Sequence, residues 1–293
     1  MTTTPRVSVV VPAFQNAPFI RTTVGSVLAQ TYPNFELVVA DHSSTDGTWE
    51  ILQELATDPR VRLLRTPAGG GAVRNWNRVT ESARGELVKL VCGDDLLAPD
   101  ALARQVATFD AHDAGGDNTH GGEVVMVASV RDIIDASGRV VVGGHGLGGL
   151  SGRVSGRAAV RRSVLRGANI FGEPCCVLLR RSALEAAGGW HGDPGYLIDQ
   201  ATYCRVLLHG DLATAPGTLA AFRLSSTQWS RVLAREQARS AAELHRQVAE
   251  LAPGLLSSRD IQVGNARARL RALQRRLVYL GLGRRLQPPA QAS

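Results

Sequence analysis

Leu87-Val-Lys-Leu-Val-Cys-Gly-Asp-Asp-Leu-Leu97 is the stretch that decides the fold. Its apolar half reads as a buried strand, and the run stops abruptly at two adjacent carboxylates. Strands buried on both faces belong to parallel sheets covered by helices. Ligands of such sheets gather outside the carboxyl ends of the strands. Asp94 and Asp95 would stand at that edge, where two acids can hold a hard divalent cation through oxygen, and the cation a diphosphate. The same residues also read as a surface turn, with Asp95 or a neighbour capping the helix that opens near Pro99.

The flanking sequence repeats the pattern. Val7–Val11 is a short β-branched strand ended by Pro12, and Ile20, Val24, Val27 and Leu28 line one face of the helix after it. Phe35–Ala40 is a second strand, closed by Asp41, and Trp49, Ile51, Leu52 and Leu55 belong to the next helix. Val61–Leu64 is a third strand. The glycines at 69–71 turn into a helix carrying Val73, Trp76, Val79 and Ala83. A fourth helix carries Leu102, Val106 and Phe109. Strands alternating with helices imply right-handed βαβ units and a mostly parallel, Rossmann-like α/β sheet flanked by helices. Residues 1–110 therefore read as a nucleotide-binding half.

Residues 112–122 are polar and glycine-rich and read as a loop. Strands follow at 123–134, 139–142 and 175–179. Between them, residues 143–156 hold seven glycines in fourteen positions, which suits a flexible flap or a disordered connection. Residues 111–230 form the second half of the same domain, and 231–293 a helical C-terminal extension. In that extension Ala266, Leu270, Leu273, Leu277 and Leu280 recur at alternating spacings of four and three, with arginines between. Such a seam packs on the body, pairs with a second copy as a homodimer, or lies on a membrane surface.

The chain has 293 residues, 44% of them hydrophobic and 20% charged, enough for one large α/β domain and an appendage. No apolar run approaches the roughly 20 residues of a transmembrane helix. No charged-then-apolar leader opens the sequence, so a cytoplasmic location is expected, with peripheral contact at the inner membrane face left open. The net charge of +7 is almost all arginine, Lys89 being the one lysine, and no aromatic-basic pattern for nucleic acid accompanies it. Cys92, Cys175, Cys176 and Cys204 lack CxxC spacing and read as reduced structural thiols.

Four features fall at strand ends or turns. Pro12, Ala13 and Phe14 open a loop able to wrap a nucleobase. Asp41 stands where a carboxylate can accept the imide N–H of uracil or thymine, or the equivalent edge of guanine. Glycines before Arg74 let a ligand approach the backbone at a helix N-terminus, which favours anions. Asp94-Asp95 is the fourth.

In combination these segments resemble the family 2 glycosyltransferases, inverting enzymes with the GT-A fold. The resemblance rests on Pro12-Ala-Phe-Gln-Asn16, Ser26-Val-Leu-Ala-Gln-Thr-Tyr-Pro33, Ala40-Asp-His-Ser-Ser-Thr-Asp-Gly-Thr48, Arg74-Asn75, Gly85-Glu-Leu87 and Cys92-Gly-Asp-Asp95. It continues through Gly172-Glu-Pro174, Gly188-Gly-Trp190 and Ile198-Asp199, covering residues 5 to about 230. It implies a nucleotide-diphosphate-sugar donor, a hydroxyl acceptor and a divalent metal, Mn2+ or Mg2+. By position, Asp41 binds the base, Arg74 supports base or phosphate, Asp95 is the principal metal ligand with Asp94 on ribose or metal, and Asp199 is the general base. Arg223 is placed at the diphosphate, Glu173 and His191 on the acceptor side, and Trp190 either on a sugar face there or in a core or lid contact. The chain departs from the family at Cys92, His42 and Ile198, each standing where relatives carry an acid. It also lacks a metal-ligating His near Leu224 and Ser225. The alternatives are a catalytically inactive nucleotide-sugar-binding or scaffold protein, and a nucleotidyltransferase, against which the missing glycine-rich, lysine-bearing loop counts.

Overall fold

The structure is a computed structural model and describes residues 4–114, 122–195, 197–225 and 236–287. Strands β1 (Val7–Ala13) and β2 (Phe35–Asp41) are buried at every position and pair in parallel from Val7↔Phe35 to Ala13↔Asp41. Their valines and leucines each contribute about 1.5–3 kcal/mol on leaving water. β3 (Val61–Arg65) joins the far side of β2, and β4 (Leu87–Leu90) the far side of β1, both in parallel. Helices α1 (Ile20–Leu28), α2 (Thr48–Leu55), α3 (Gly71–Glu81) and α4 (Ala101–Ala114) alternate with these strands. The expected βαβ repeat is therefore present, and all four helices start and stop close to where their apolar periodicity begins and ends.

Beyond β4 the sheet is mixed. Its remaining strands are β5 (Leu96–Leu97), β6 (Val124–Ile134), β7 (Val140–His145), β8 (Arg153–Val154), β9 (Val177–Arg180) and β10 (Asp211–Arg223). The order is β3-β2-β1-β4-β9-β6-β10-β5, with β7 on β6 and β8 on β10. β9 runs against both β4 and β6, and β10 runs parallel to β6. One sheet thus spans both halves of the chain. Lys89 ties the middle of it together: fully buried on β4, its Nζ donates to Gln105 Oε1 of α4 at 2.9 Å and to the Val177 carbonyl of β9 at 3.3 Å. Burial without a carboxylate partner lowers this amine to about 8.

The glycine-rich run at 143–156 is not a free flap in the structure. It finishes β7, makes a short 3-10 turn over Leu147–Gly149, and continues into β8 and helix α5 (Gly156–Arg166). Leu147 N donates to Ile170 O at 2.6 Å, and the Arg162 guanidinium holds the Gly148 carbonyl at 2.8 Å. Positive φ recurs along this path, taken by Gly144, Gly146, Gly148 and Gly149 and by Leu147 at 58°. The expected loop at 112–122 is helix as far as Ala114, and residues 115–121 lie outside the described residues.

Helices α6 (Arg181–Ala186) and α7 (Ile198–Val206) complete the body, and α8 (Gln237–Leu251) and α9 (Ser258–Leu282) form the extension. Helix α9 packs on α5 and α8, but not through the described part of the leucine seam, Ala266, Leu270 and Leu273; the side chains of Leu277 and Leu280 lie outside the described residues. Leu270 and Leu273 are each 56% exposed, while Gly264, Ala268 and Ala272 are buried. Small residues win because the backbones come close: a Cβ on Gly264 would lie 2.5 Å from Val164 O of α5. Among the described residues no helix is long and apolar enough to cross a membrane.

Candidate active site

The carboxyl ends of β1, β2 and β4 open on one side of the sheet, and the predicted donor residues sit there. Asp41 ends β2 beside Ala13. Its Oδ2 accepts from Ser44 N at 3.2 Å and faces the Arg65 guanidinium at 3.7 Å. Its Oδ1 is buried and has no hydrogen-bond partner among the described residues. A buried acceptor left open is costly unless a ligand completes it. Phe14 is 57% exposed and lies against His42, ring centroids 5.8 Å apart, so an apolar face stands beside that acceptor. His42 Nε2–H donates to Gly69 O at 2.9 Å and links the β2 loop to the glycine turn.

Asn75 fixes this corner. Its Nδ2 donates to Ala40 O at 3.0 Å and Ala13 O at 3.3 Å, and its Oδ1 accepts from Thr66 Oγ1 at 2.7 Å. One buried amide therefore locks α3 to the ends of three strands. The neighbouring Arg74 is exposed, its Nη1 reaching Ala68 O and Gly69 O at 3.3 and 3.4 Å. Gln15 and Ser43, at φ of 52° and 55°, hold left-handed conformations in the two loops that frame the corner.

The acid pair follows β4. Gly93 is required there, since a Cβ would run into Asn16 Oδ1 of the β1 loop. β5 pairs antiparallel with β10, Leu96 opposite Ala221, which brings Arg223 beside the acids. Arg223 N donates to Asp95 Oδ1 at 3.0 Å, and its Nε donates to the Asp94 carbonyl at 2.8 Å. The guanidinium also meets the Asp135 and Ala136 carbonyls and lies 4.9 Å over the Phe19 ring. At 5% exposure, Arg223 braces the acid pair from behind rather than lying open to a diphosphate. Asp95 Oδ2 is buried with no partner among the described residues. Burial, then the charge of Asp94, pushes the Asp95 carboxyl well above the carboxylate range. Burial raises Asp94 to about 6 against the attraction of Arg223.

Asp199 stands at the start of α7, half-buried. Its Oδ1 accepts from Gln200 N at 2.7 Å and its Oδ2 from Asn169 Nδ2 at 2.9 Å. Burial, then the field of Glu173, raises it to about 6, and those two hydrogen bonds moderate the rise. Glu173 is paired with Arg131 of β6, Nη2 to Oε1 at 2.9 Å. The Cys92 thiol is raised by burial and then by the charges of Asp95, Asp94, Asp199 and Glu173, so acids from three chain segments act on the thiol that replaces the family's first acid.

Of the two readings of Trp190, the structure shows the core contact. It is 3% exposed, donates Nε1–H to Thr80 Oγ1 at 2.9 Å, and packs edge-on against Trp76 and Tyr203. Its bulk and single polar atom are both satisfied inside. His191 turns back on α6, with Nε2–H donating to Ala187 O at 2.6 Å. Sequence reasoning missed Asn169, Arg131 and Tyr203, whose buried hydroxyl has no hydrogen-bond partner among the described residues and feels the Asp199 charge. None of the three stands in a recognisable motif. Asn75 lay inside the Arg74-Asn75 pair without its brace being visible.

Among the described residues no three His, Cys, Asp or Glu side chains converge on a single ion. The orphaned Asp95 Oδ2 beside the Asp94 carboxylate still fits a hard cation, whose preference is for oxygen and whose remaining positions a diphosphate and water can fill.

Solved structures share this architecture. Staphylococcus aureus TarS residues 1–349, solved with UDP-GlcNAc, matches over 96% of this chain and 76% of its own with a TM-score of 0.69 at 18% identity. The mannosyltransferase PcManGT of Pyrobaculum calidifontis, solved with GDP-Man and Mn2+, matches over 100% of this chain and 77% of its own with a TM-score of 0.61 at 22% identity. In sequence, an uncharacterised Mycobacterium tuberculosis protein is 32% identical over 240 residues, 78% of this chain and 71% of that protein. The putative teichuronic acid biosynthesis glycosyltransferase TuaG of Bacillus subtilis is 36% identical over 103 residues, 35% of this chain and 41% of its own length. The profile of Glycosyl transferase family 2 matches residues 8–188. With the strand-end acids and the sheet order as described, this chain belongs to glycosyl transferase family 2.

Proposed function

We propose that this protein transfers a glycosyl group from a nucleotide-diphosphate sugar to an acceptor hydroxyl, in one displacement with inversion at the anomeric carbon. The observation that carries the reading is Asp199, a carboxylate with its pKa raised to about 6, held by Asn169 and feeling the same Glu173 charge that reaches Asp95 and Cys92. Solved relatives that hold nucleotide sugars support the donor class.

Asp41 Oδ1 accepts the base N–H, with Phe14 against the base face. A divalent cation held by Asp95 and Asp94 would neutralise the charge developing on the leaving diphosphate. Asp199 takes the proton of the acceptor hydroxyl as its oxygen bonds to the anomeric carbon and the bond from that carbon to the diphosphate oxygen breaks. The nucleoside diphosphate carries away the electron pair. Asn169 and the Gln200 amide hold the base in place, and the Glu173 charge keeps its basicity high. The exposed face of α9 at Leu270 and Leu273 is where this reading puts contact with a membrane or a second copy.

The test is a panel of uridine- and guanosine-diphosphate sugars with Mn2+, read by thermal shift and by nucleotide release. A donor that binds should raise the melting temperature by mass action. Asp95→Ala should remove metal-dependent binding, and Asp199→Asn should keep donor binding while lowering turnover by about 10²–10⁴. No binding across the panel, together with an unchanged Asp95→Ala variant, sinks the proposal.

A further inference from the structure

We propose that the C-terminal 3-10 turn Gly283–Leu286 is a clamp that positions the acid pair, acting through Asp135 and Arg223. The clamp bears on catalysis only if the acid pair serves the diphosphate, so it rests on the reading just given.

Two polar links hold the turn to the loop between β6 and β7, and a buried leucine anchors its end. Arg285 Nε and Nη2 each stand 2.8 Å from Asp135 Oδ2. Ala136 N donates back to Arg285 O at 3.2 Å. Leu286 is 1% exposed, so an apolar side chain seats the end of the turn. Two hydrogen bonds and one buried leucine are more than a frayed tail makes by chance.

The loop they hold is already stiff. Asp135 is 2% exposed, and its Oδ1 accepts from Ser137 N, Ser137 Oγ and Arg139 N at 3.0, 2.7 and 3.0 Å. Burial alone would raise this carboxyl, but those bonds and Arg285 hold it at about 2. The carbonyls of Asp135 and Ala136 then point at Arg223 Nη1, at 3.3 and 3.2 Å. Arg223 in turn holds Asp94 O with its Nε and Asp95 Oδ1 with its backbone N–H. The path from Arg285 to the acids therefore runs through one loop and one arginine, every link a hydrogen bond.

Removing Arg285 leaves the buried Asp135 carboxylate without its only cation within ion-pairing distance among the described residues. The loop carbonyls then lose their fixed aim, and Arg223 loses two of the acceptors that fix its guanidinium. Because Asp95 Oδ1 is held by Arg223 N, its orphaned Oδ2 loses a defined direction as well. Arg285 is a positioning residue: it touches neither donor nor acceptor.

The experiment compares Arg285→Ala and Arg285→Lys with the unaltered full-length chain. Amide hydrogen exchange at Arg223 reads the bond to Asp95 directly and needs no ligand. Titration calorimetry with UDP or GDP and Mn2+ reads the acid pair. Arg285→Ala should speed exchange at Arg223 and weaken nucleotide binding by about tenfold. Its ligand-free melting temperature should fall by a few degrees, since Asp135 keeps its three hydrogen bonds from Ser137 and Arg139 but loses its cation. Lysine, which keeps the charge but not the fork, should restore part of both. Arg161→Ala is the control: it breaks another ion pair of the extension, with Asp260, Nη2 to Oδ1 at 2.9 Å, that does not lead to the acids. Unchanged exchange at Arg223 in Arg285→Ala overturns the clamp, as does an equal loss of nucleotide affinity in Arg161→Ala. If the unaltered protein binds neither nucleotide, the proposed function fails, and the exchange measurement still decides the clamp.

Discussion

Asp199 carries two opposite consequences of the same burial. Its carboxyl titrates near 6, where an ordinary aspartate titrates near 3.8, because burial and then the Glu173 charge disfavour the anion. Turnover at saturating donor should therefore rise through pH 6 and level off above it, as the base becomes available. Stability should move the other way. Between about pH 4 and 6 the folded state holds a proton that the unfolded chain has lost, so this group's contribution falls as pH rises through that window. Asp199→Asn should flatten that slope in chemical denaturation, while turnover collapses. A slope through pH 4 to 6 unchanged in that variant would contradict the raised carboxyl of Asp199. Asp199 was legible from Ile198-Asp199 in the sequence. Its partner Asn169 was not, because nothing about an asparagine thirty residues away marks it as the hydrogen-bond donor that aims the base.

Among elements, the strands were the most legible and α9 the least. β1, β2 and β4 are buried at every position, so their sequences are mostly apolar, broken only by buried Ser8, Glu36, Asp41 and Lys89. The leucine seam of α9 also has a clear period, but periodicity cannot say which of two stripes meets the body when one is made of small residues. Gly264 and Ala268 decide it through backbone approach to α5, where Gly167, at φ 58°, would put a Cβ 2.5 Å from Ala268 N. Gly264→Val should drive α9 off α5 and lower stability in chemical denaturation by about 1–3 kcal/mol. Leu270→Gln, on the exposed stripe, should stay within about 0.5 kcal/mol of the original. Equal effects of the two substitutions would mean that the leucine face is the packed one after all. The glycine run before α5 was read as mobile for a related reason: glycine permits both a disordered chain and a tightly turned one, and the contacts of Leu147 and Gly148 that select the second lie far away in sequence.

At the scale of the whole molecule, β9 is the strand that makes the two halves one unit. It runs between β4 of the first half and β6 of the second, with Lys89 bridging from β4 to the Val177 carbonyl. Unfolding followed by the fluorescence of the four tryptophans should coincide with unfolding followed by far-ultraviolet dichroism. Separated transitions would show that the halves come apart independently. The sequence by itself determined the alternation of strands and helices, the order of the acids at Asp41, Asp94-Asp95 and Asp199, and the family resemblance they carry. Those are local facts, written in periodicity and in residues adjacent along the chain. Only the tertiary structure decided that Trp190 faces inward, that Arg223 braces the acids from behind, and that the far C-terminus reaches the loop holding that brace. Each depends on which surfaces meet across long loops, and packing and hydrogen-bond satisfaction choose those partners from many that the sequence leaves equal.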